Sequence, residues 1–203
     1  MPSTLRKASR EDKRRRIIDA AVDVFADKGF FSARVSEIAE AAGVADGTIY
    51  LYFKSKDEIL ISLFREKMTE ILHRFQEMMA ATDDPEEQIR RYIAEHLALV
   101  AAQPKLMQVL TVELRQSAGF MKEQTPQAFG RYLALLASVV ESGQRRGIFR
   151  KDASAILVGR AIFGAVDEIS LAWVLGGSPE PLRAADIAAE LSAVFLRGLK
   201  LEP

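Results

Sequence analysis

From Ile17 to Leu199 apolar residues recur three and four positions apart, and nowhere does the chain sustain the two-residue alternation of a half-buried strand. A fold built on this pattern contains helices only. The first apolar stripe runs through Ile17, Ile18, Ala21, Val22 and Phe25, and Lys28-Gly29 closes it with a basic last turn and a glycine stop. Ser36 is placed to cap a short helix ending at Gly43, and Asp46 to cap another running to about Phe53. Ser55-Lys56-Asp57-Glu58 is a capping box. It opens a long helix with Ile59, Leu60, Leu63, Phe64, Met68, Ile71, Leu72 and Phe75 on its apolar side and a stop near Ala81. Asp84-Pro85-Glu86-Glu87 joins an N-cap, a proline at the first helical position and two acids at the positive end of the dipole; Pro104 breaks this helix after Ala102. Helical spacing then covers Leu106 to Ser117, Pro126 to Arg146, a stretch capped by Asp152 and reaching Leu175, and Leu182 to Leu199. The expected fold is all-α with about nine helices. A three-helix unit occupies residues 1–54 and a larger helical bundle residues 55–203, with no Pro/Gly/Ser linker between them.

Acids and bases balance at 28 each, yet seven of the bases fall in the first sixteen positions, which makes a basic arm on a neutral body. The segment after it, IIDAAVDVFADKGF, carries three aspartates and no small-residue cleavage site, so no export signal is expected. Runs free of charges and amides, such as Tyr132 to Val140, fall well short of the roughly 20 residues that cross a bilayer. Cysteine is absent, which removes disulfides and thiolate metal sites and fits a cytoplasmic protein. His73 and His96 have no neighbouring ligand pattern, so no metal site or resident cofactor is expected. No G-x-S-x-G, H-E-x-x-H, P-loop or dinucleotide fingerprint occurs, so an enzyme is not expected.

Two short helices joined by a glycine turn and packed on a longer one describe a helix-turn-helix, whose second helix enters the major groove of DNA. Ile49 and Phe53, four apart, then face inward, and Thr48, Tyr50, Tyr52 and Lys54 face outward. Their hydroxyls suit phosphates and base edges, and Lys54 and Lys56 supply charge to the DNA backbone. The basic arm is placed to follow adjacent phosphates or the minor groove.

The stretch VSEIAEAAGVADGTIYLYFKSKDEIL resembles the N-terminal signature of the TetR-type one-component regulators almost position for position. The resemblance implies a TetR-like fold: a helix-turn-helix domain followed by a ligand-binding and dimerisation bundle. Carried onto this sequence, the family's DNA-contacting positions fall on Arg34, Ser36, Asp46, Gly47, Thr48, Tyr50, Tyr52, Lys54 and Lys56. The stretches GVADGTIYLYFKSKDEILISLFREKM, VELRQS and IFGAVDEISLAWV are similar to the family's repressors of fatty-acid degradation, which leave DNA on binding long-chain acyl-CoA. That similarity implies a homodimer on a pseudo-palindromic operator, with long-chain acyl-CoA as effector.

For such an effector the bundle offers Leu106, Met107, Leu110, Leu114, Phe120, Phe129, Leu133, Phe163 and Trp173 as an apolar lining. Arg90, Arg91, Arg115, Arg131, Arg145 and Arg146 are candidates for the CoA phosphates, with Arg90 and Arg115 the preferred pair. Glu113 and Asp167-Glu168 are charges on apolar helices, placed either to pair with arginines, to face the pocket or to point into solvent. Gly159, Ala161, Gly164 and Ala165, then Ala185, Ala188, Ala189, Ser192 and Ala193, put small residues on the last two helices. Close approach of helix copies there suits a two-fold interface; a tight monomeric core is the alternative. For function, the alternatives are a TetR-type repressor answering another hydrophobic metabolite or drug, and a helical acyl-CoA-processing enzyme.

Overall fold

The computed structural model describes residues 2–113, 126–176 and 181–200, and it holds nine α-helices and no strand among them. They are α1 (Pro2–Lys28), α2 (Val35–Ala42), α3 (Asp46–Ile49), α4 (Lys56–Ala80), α5 (Pro85–Ala102), α6 (Pro104–Gln108), α7 (Pro126–Arg145), α8 (Ala155–Gly176) and α9 (Pro181–Leu199). A π-helical turn, Val109–Glu113, continues α6 directly. The all-α expectation therefore holds.

Several boundaries follow the predicted chemistry. Ser55 caps α4 by accepting from the Glu58 amide at 3.1 Å, and Asp84 caps α5 by accepting from the Glu86 amide at 3.1 Å. Gly43 ends α2 in the left-handed region at φ 63°, where its amide and that of Val44 close back on Glu40 and Ala39. Three expected caps are corrected. Ser36 lies inside α2, whose N-cap is Arg34, because a box needs an acid three residues on: Glu37 accepts from the Arg34 amide at 2.9 Å, whereas Ala39 follows Ser36. Ala45, in extended geometry, precedes α3 and leaves Asp46 as its first residue. Asp152 is engaged by Arg150 at 2.7 and 2.5 Å, which holds its carboxyl below the usual range, and Ser154 meets the Leu157 amide at 3.4 Å instead.

The buried apolar side chains form two clusters that part inside α4. Ile17 to Leu63 belong to the first, and Phe64 onward to the second. Leu106 and Val109 cross over and pack in the N-terminal cluster, and Leu110 touches both. Two helices thus lead from one core to the other. Polar contacts reinforce both routes: Lys67 of α4 holds Asp19 of α1 at 2.9 Å, while Lys105 of α6 holds Asp23 and Asp27 at 3.2 and 3.0 Å. Gln108 donates to the Ala26 carbonyl at 2.8 Å.

Candidate functional site

The N-terminal arm is not a free tail among its described residues but the first half of α1. Arg14 lies over the Phe53 ring, 5.1 Å from its centroid, and pairs with Glu66; Arg10 lies 5.8 Å from the Tyr52 centroid. Arg16 donates to the carbonyls of Ala42 and Gly43, so the arm braces the turn between α2 and α3.

Beyond that turn Ile49 and Phe53 are fully buried, at 0% and 1% exposure, and fix which side of α3 faces the protein. Residues two positions away on a helix point to the opposite side, and these are Gly47 and Leu51. Leu51 is 72% exposed and Tyr50 59%. Arg34, Ser36, Asp46, Gly47, Tyr50 and Lys54 are exposed, and Thr48, Tyr52 and Lys56 half-buried. Arg34, Ser36, Asp46, Tyr50 and Lys56 meet around one open cleft at the starts of α2 and α3. Helix amides point outward at such starts and favour anions. Lys56 itself is tied down: its ammonium donates to the carbonyls of Phe30 (2.6 Å), Phe31 (3.0 Å) and Ala33 (2.8 Å), above the Phe30 ring. It therefore stitches the start of α4 to the link between α1 and α2. Lys28 is engaged as well, by Glu37 at 2.7 Å, and this hydrogen bond, with that from the Arg34 amide, lowers the Glu37 carboxyl.

Gly47 has no unusual φ, and a Cβ built there meets nothing within 4 Å. Nothing in the chain requires glycine at this exposed helical position, where it costs about 1 kcal/mol relative to alanine. An outside surface approaching the backbone would supply the reason. Leu51 was not among the residues expected at the interface, because a pattern that separates apolar-inside from polar-outside assigns leucine to the core; only the inward pair Ile49 and Phe53 reveals its direction.

In the bundle, Phe75 of α4, Tyr92 and His96 of α5, Phe129 and Tyr132 of α7, and Phe163 of α8 form a continuous set of ring contacts with centroids 5.1 to 6.3 Å apart. His96 Nδ1 and the Tyr132 hydroxyl share a hydrogen bond of 2.8 Å. Burial lowers the His96 pKa to about 4, so the imidazole is neutral at physiological pH. Burial also raises both tyrosine hydroxyls, with the field of Asp167 adding to it. His96 Nε2 is buried without a hydrogen-bond partner, and the buried Tyr92 hydroxyl lies beside that of Tyr132.

Of the expected lining residues, Phe129 and Phe163 join this ring set, Met107 is buried in the same core, Leu110 and Trp173 pack against it, and Leu133 is buried. Leu106 is corrected: its side chain fills the N-terminal core, since α6 turns that face toward α1. Leu114, Arg115 and Phe120 lie outside the described residues, as does the side chain of Glu113. Arg90 stands on the exposed face of α5, paired with Glu86 at 3.2 Å, and Arg91 pairs with Glu87 at 2.8 Å. Arg145 meets Glu141 at 3.9 Å, Arg146 donates to the Asp83 carbonyl, and Arg131 is exposed. Tyr92, His96 and Tyr132 of this ring set are not among the expected lining residues. The available signal was two polar rings four apart on the apolar face of α5.

No group of metal-ligating side chains and no membrane-length apolar helix occurs among the described residues. Residues 17–63 match the model of bacterial regulatory proteins of the tetR family, and residues 64–191 match that of the YsiA-like protein C-terminal region. A fatty acid metabolism regulator protein of Bacillus subtilis is 40% identical over 159 residues, covering 78% of this chain and 82% of that protein. The crystal structure of the transcriptional regulator FadR from Bacillus subtilis in complex with stearoyl-CoA superposes with a TM-score of 0.83 at 35% identity, covering 90% of this chain and 97% of that one. The fatty acid degradation regulator FadR from Bacillus halodurans superposes at 0.82 with 37% identity, covering 91% and 98%. The chain is thus a member of the TetR family, a helix-turn-helix transcriptional regulator and not an enzyme.

Proposed function

We propose that this chain is a cytoplasmic repressor of fatty-acid degradation genes that binds a pseudo-palindromic operator as a homodimer and leaves it when long-chain acyl-CoA enters the bundle. The observation that carries this reading is the likeness, over 90% of the chain, to a regulator solved with stearoyl-CoA. The aromatic core between α5, α7 and α8 supports it, because such rings suit an alkyl chain at roughly 0.8 kcal/mol per buried methylene.

In this reading residues 1–54 form the DNA-reading unit and 55–203 the effector and dimerisation unit. Gly47, Thr48, Tyr50, Tyr52 and Lys54 approach the groove and its phosphates. Arg34, Ser36, Asp46 and Lys56 surround the cleft beside it, Lys56 giving its charge while its protons hold the α1–α2 link. Met107, Leu110, Phe129, Leu133, Phe163 and Trp173 face the acyl chain. The dimer pairs α8 and α9 with their copies, which places half-sites roughly 34 to 36 Å apart. Effector binding moves α4 and α6, and α1 with α3 follows, so DNA and effector oppose each other with equal coupling in both directions.

The test is a fluorescence titration of labelled operator with stearoyl-CoA. Release at micromolar effector, together with a tighter hold on DNA when the effector is withdrawn, is the expected result. Retention of DNA by the saturated protein sinks the reading.

A further inference from the structure

The His96–Tyr132 pair is a hydrogen-bonding device without a finished circuit. His96 sits on the buried face of α5, and its packed neighbours among the described rings are Tyr92, Tyr132 and Phe163. Its Nδ1 is engaged by Tyr132, while Nε2 is fully enclosed and meets neither donor nor acceptor. The Tyr92 hydroxyl, on the same face one turn earlier, is equally buried and lies beside the Tyr132 hydroxyl. Leucine at position 96 would fill similar space with no unmet need at Nε2. Buried polar atoms are otherwise almost always paired, and leaving one unpaired opposes folding. Such an atom in an aromatic enclosure marks a place where a partner arrives from outside the chain.

We propose that His96 Nε2–H, held in that tautomer by a hydrogen bond from the Tyr132 hydroxyl to Nδ1, donates to the thioester carbonyl oxygen of the acyl-CoA effector. This rests on the acyl-CoA reading above and adds the atom by which the ester is told from its analogues. The donor is neutral, and the field of Asp167 acts on the two tyrosine hydroxyls beside it, so the node suits an uncharged oxygen and disfavours a carboxylate. A free fatty acid carries a carboxylate at this position and a thioester carries a carbonyl. The arrangement therefore reads activation of the acid, not chain length.

The experiment compares stearoyl-CoA with S-octadecyl-CoA, a thioether that keeps the chain and the nucleotide but lacks the carbonyl, and with stearate. Wild-type protein is expected to bind the thioester about tenfold more tightly than the thioether, the scale of one well-made hydrogen bond. In H96F the preference collapses to within twofold through loss of thioester affinity, while operator binding without effector is unchanged. Y132F, which removes one hydroxyl and no ring, gives an intermediate preference. As a readout independent of affinity, the stretch of carbonyl-labelled stearoyl-CoA moves to lower frequency on wild-type protein and stays higher on H96F. Equal binding of thioester and thioether by the wild type overturns this proposal and leaves the acyl-CoA reading standing. So does an H96F protein that keeps the full preference. If neither CoA compound binds or releases DNA, both fall.

Discussion

At the scale of single residues, Gly47 separates DNA binding from stability. Alanine there adds a methyl to open space on α3, so Gly47→Ala leaves the fold intact and adds up to about 1 kcal/mol of stability through the better helix former. In the proposed complex the same methyl would meet a DNA backbone at close quarters, and operator affinity is expected to fall at least tenfold. Thermal unfolding and operator titration of one preparation decide it; unchanged affinity would show that α3 does not approach DNA through Gly47. His96 offers a pH readout. Its folded pKa of about 4 lies below the ordinary 6.5, so the unfolded chain binds the extra proton first as pH falls. Stability is complete above 6.5 and declines as pH drops toward 4, by about 3 kcal/mol in all. Tyr92 and Tyr132, the titratable side chains packed on His96, stay neutral throughout. H96F should flatten the denaturation midpoint between pH 7 and 4.5; an unflattened curve places the sensitivity elsewhere. Residue-scale chemistry was legible in the sequence where a short-range rule governs it, as at Gly43, Ser55 and Asp84. Leu51 and His96 were not, because each inverts the rule that sorts polar from apolar, and that inversion becomes visible only when the surrounding elements are in place.

At the scale of elements, the capping box at Ser55 starts the long helix immediately after the Tyr-rich segment, so the sequence joins the two units through α4 with no linker between them. The structure adds α6. Its lysine and glutamine bind α1 at Asp23, Asp27 and Ala26, and its Leu106 inserts into the N-terminal core. Sequence spacing described Leu106 to Ser117 as one helix, but α6 gives way at Val109 to a π turn. The wider turn was illegible because no residue type signals it, and the crossing of Leu106 depends on packing against helices distant in sequence. If α6 carries part of the coupling, Lys105→Ala combined with Gln108→Ala weakens the effector's leverage more than it weakens DNA binding. The ratio of operator affinities without and with stearoyl-CoA is expected to shrink about threefold to tenfold, within the range by which intermediary residues tune coupling. Reciprocity requires the DNA-induced loss of effector affinity to shrink by the same factor. An unaltered ratio would return the whole linkage to α4.

At the scale of the molecule, the outer faces of α8 and α9 bear on the proposed homodimer. Small residues suggested close helix approach, and the structure divides them. Gly159 serves the monomer, since a Cβ there would stand 3.1 Å from the Ala137 amide nitrogen; Ala188 and Ser192 are buried in the same chain. Ala161, Gly164, Ala185 and Ala189 stay exposed. Beside them Leu157, Leu175 and Val194 are 67, 69 and 63% exposed. Leu157, Ala161, Gly164, Glu168, Ala172 and Leu175 follow one exposed, predominantly apolar stripe down α8, which the proposed second copy would cover. In a two-fold interface every residue counts twice, so burying one leucine contributes about 3 to 6 kcal/mol to the dimer. Leu157→Glu with Val194→Glu therefore opposes association without touching either core. The double variant should keep its helical content and thermal transition, sediment as a monomer, and lose operator affinity by more than a hundredfold, because one helix-turn-helix then binds a single half-site. The two measurements must fall together: a monomer that still holds the full operator tightly would refute dimeric recognition, and a variant that still sediments as a dimer would move the interface off these faces.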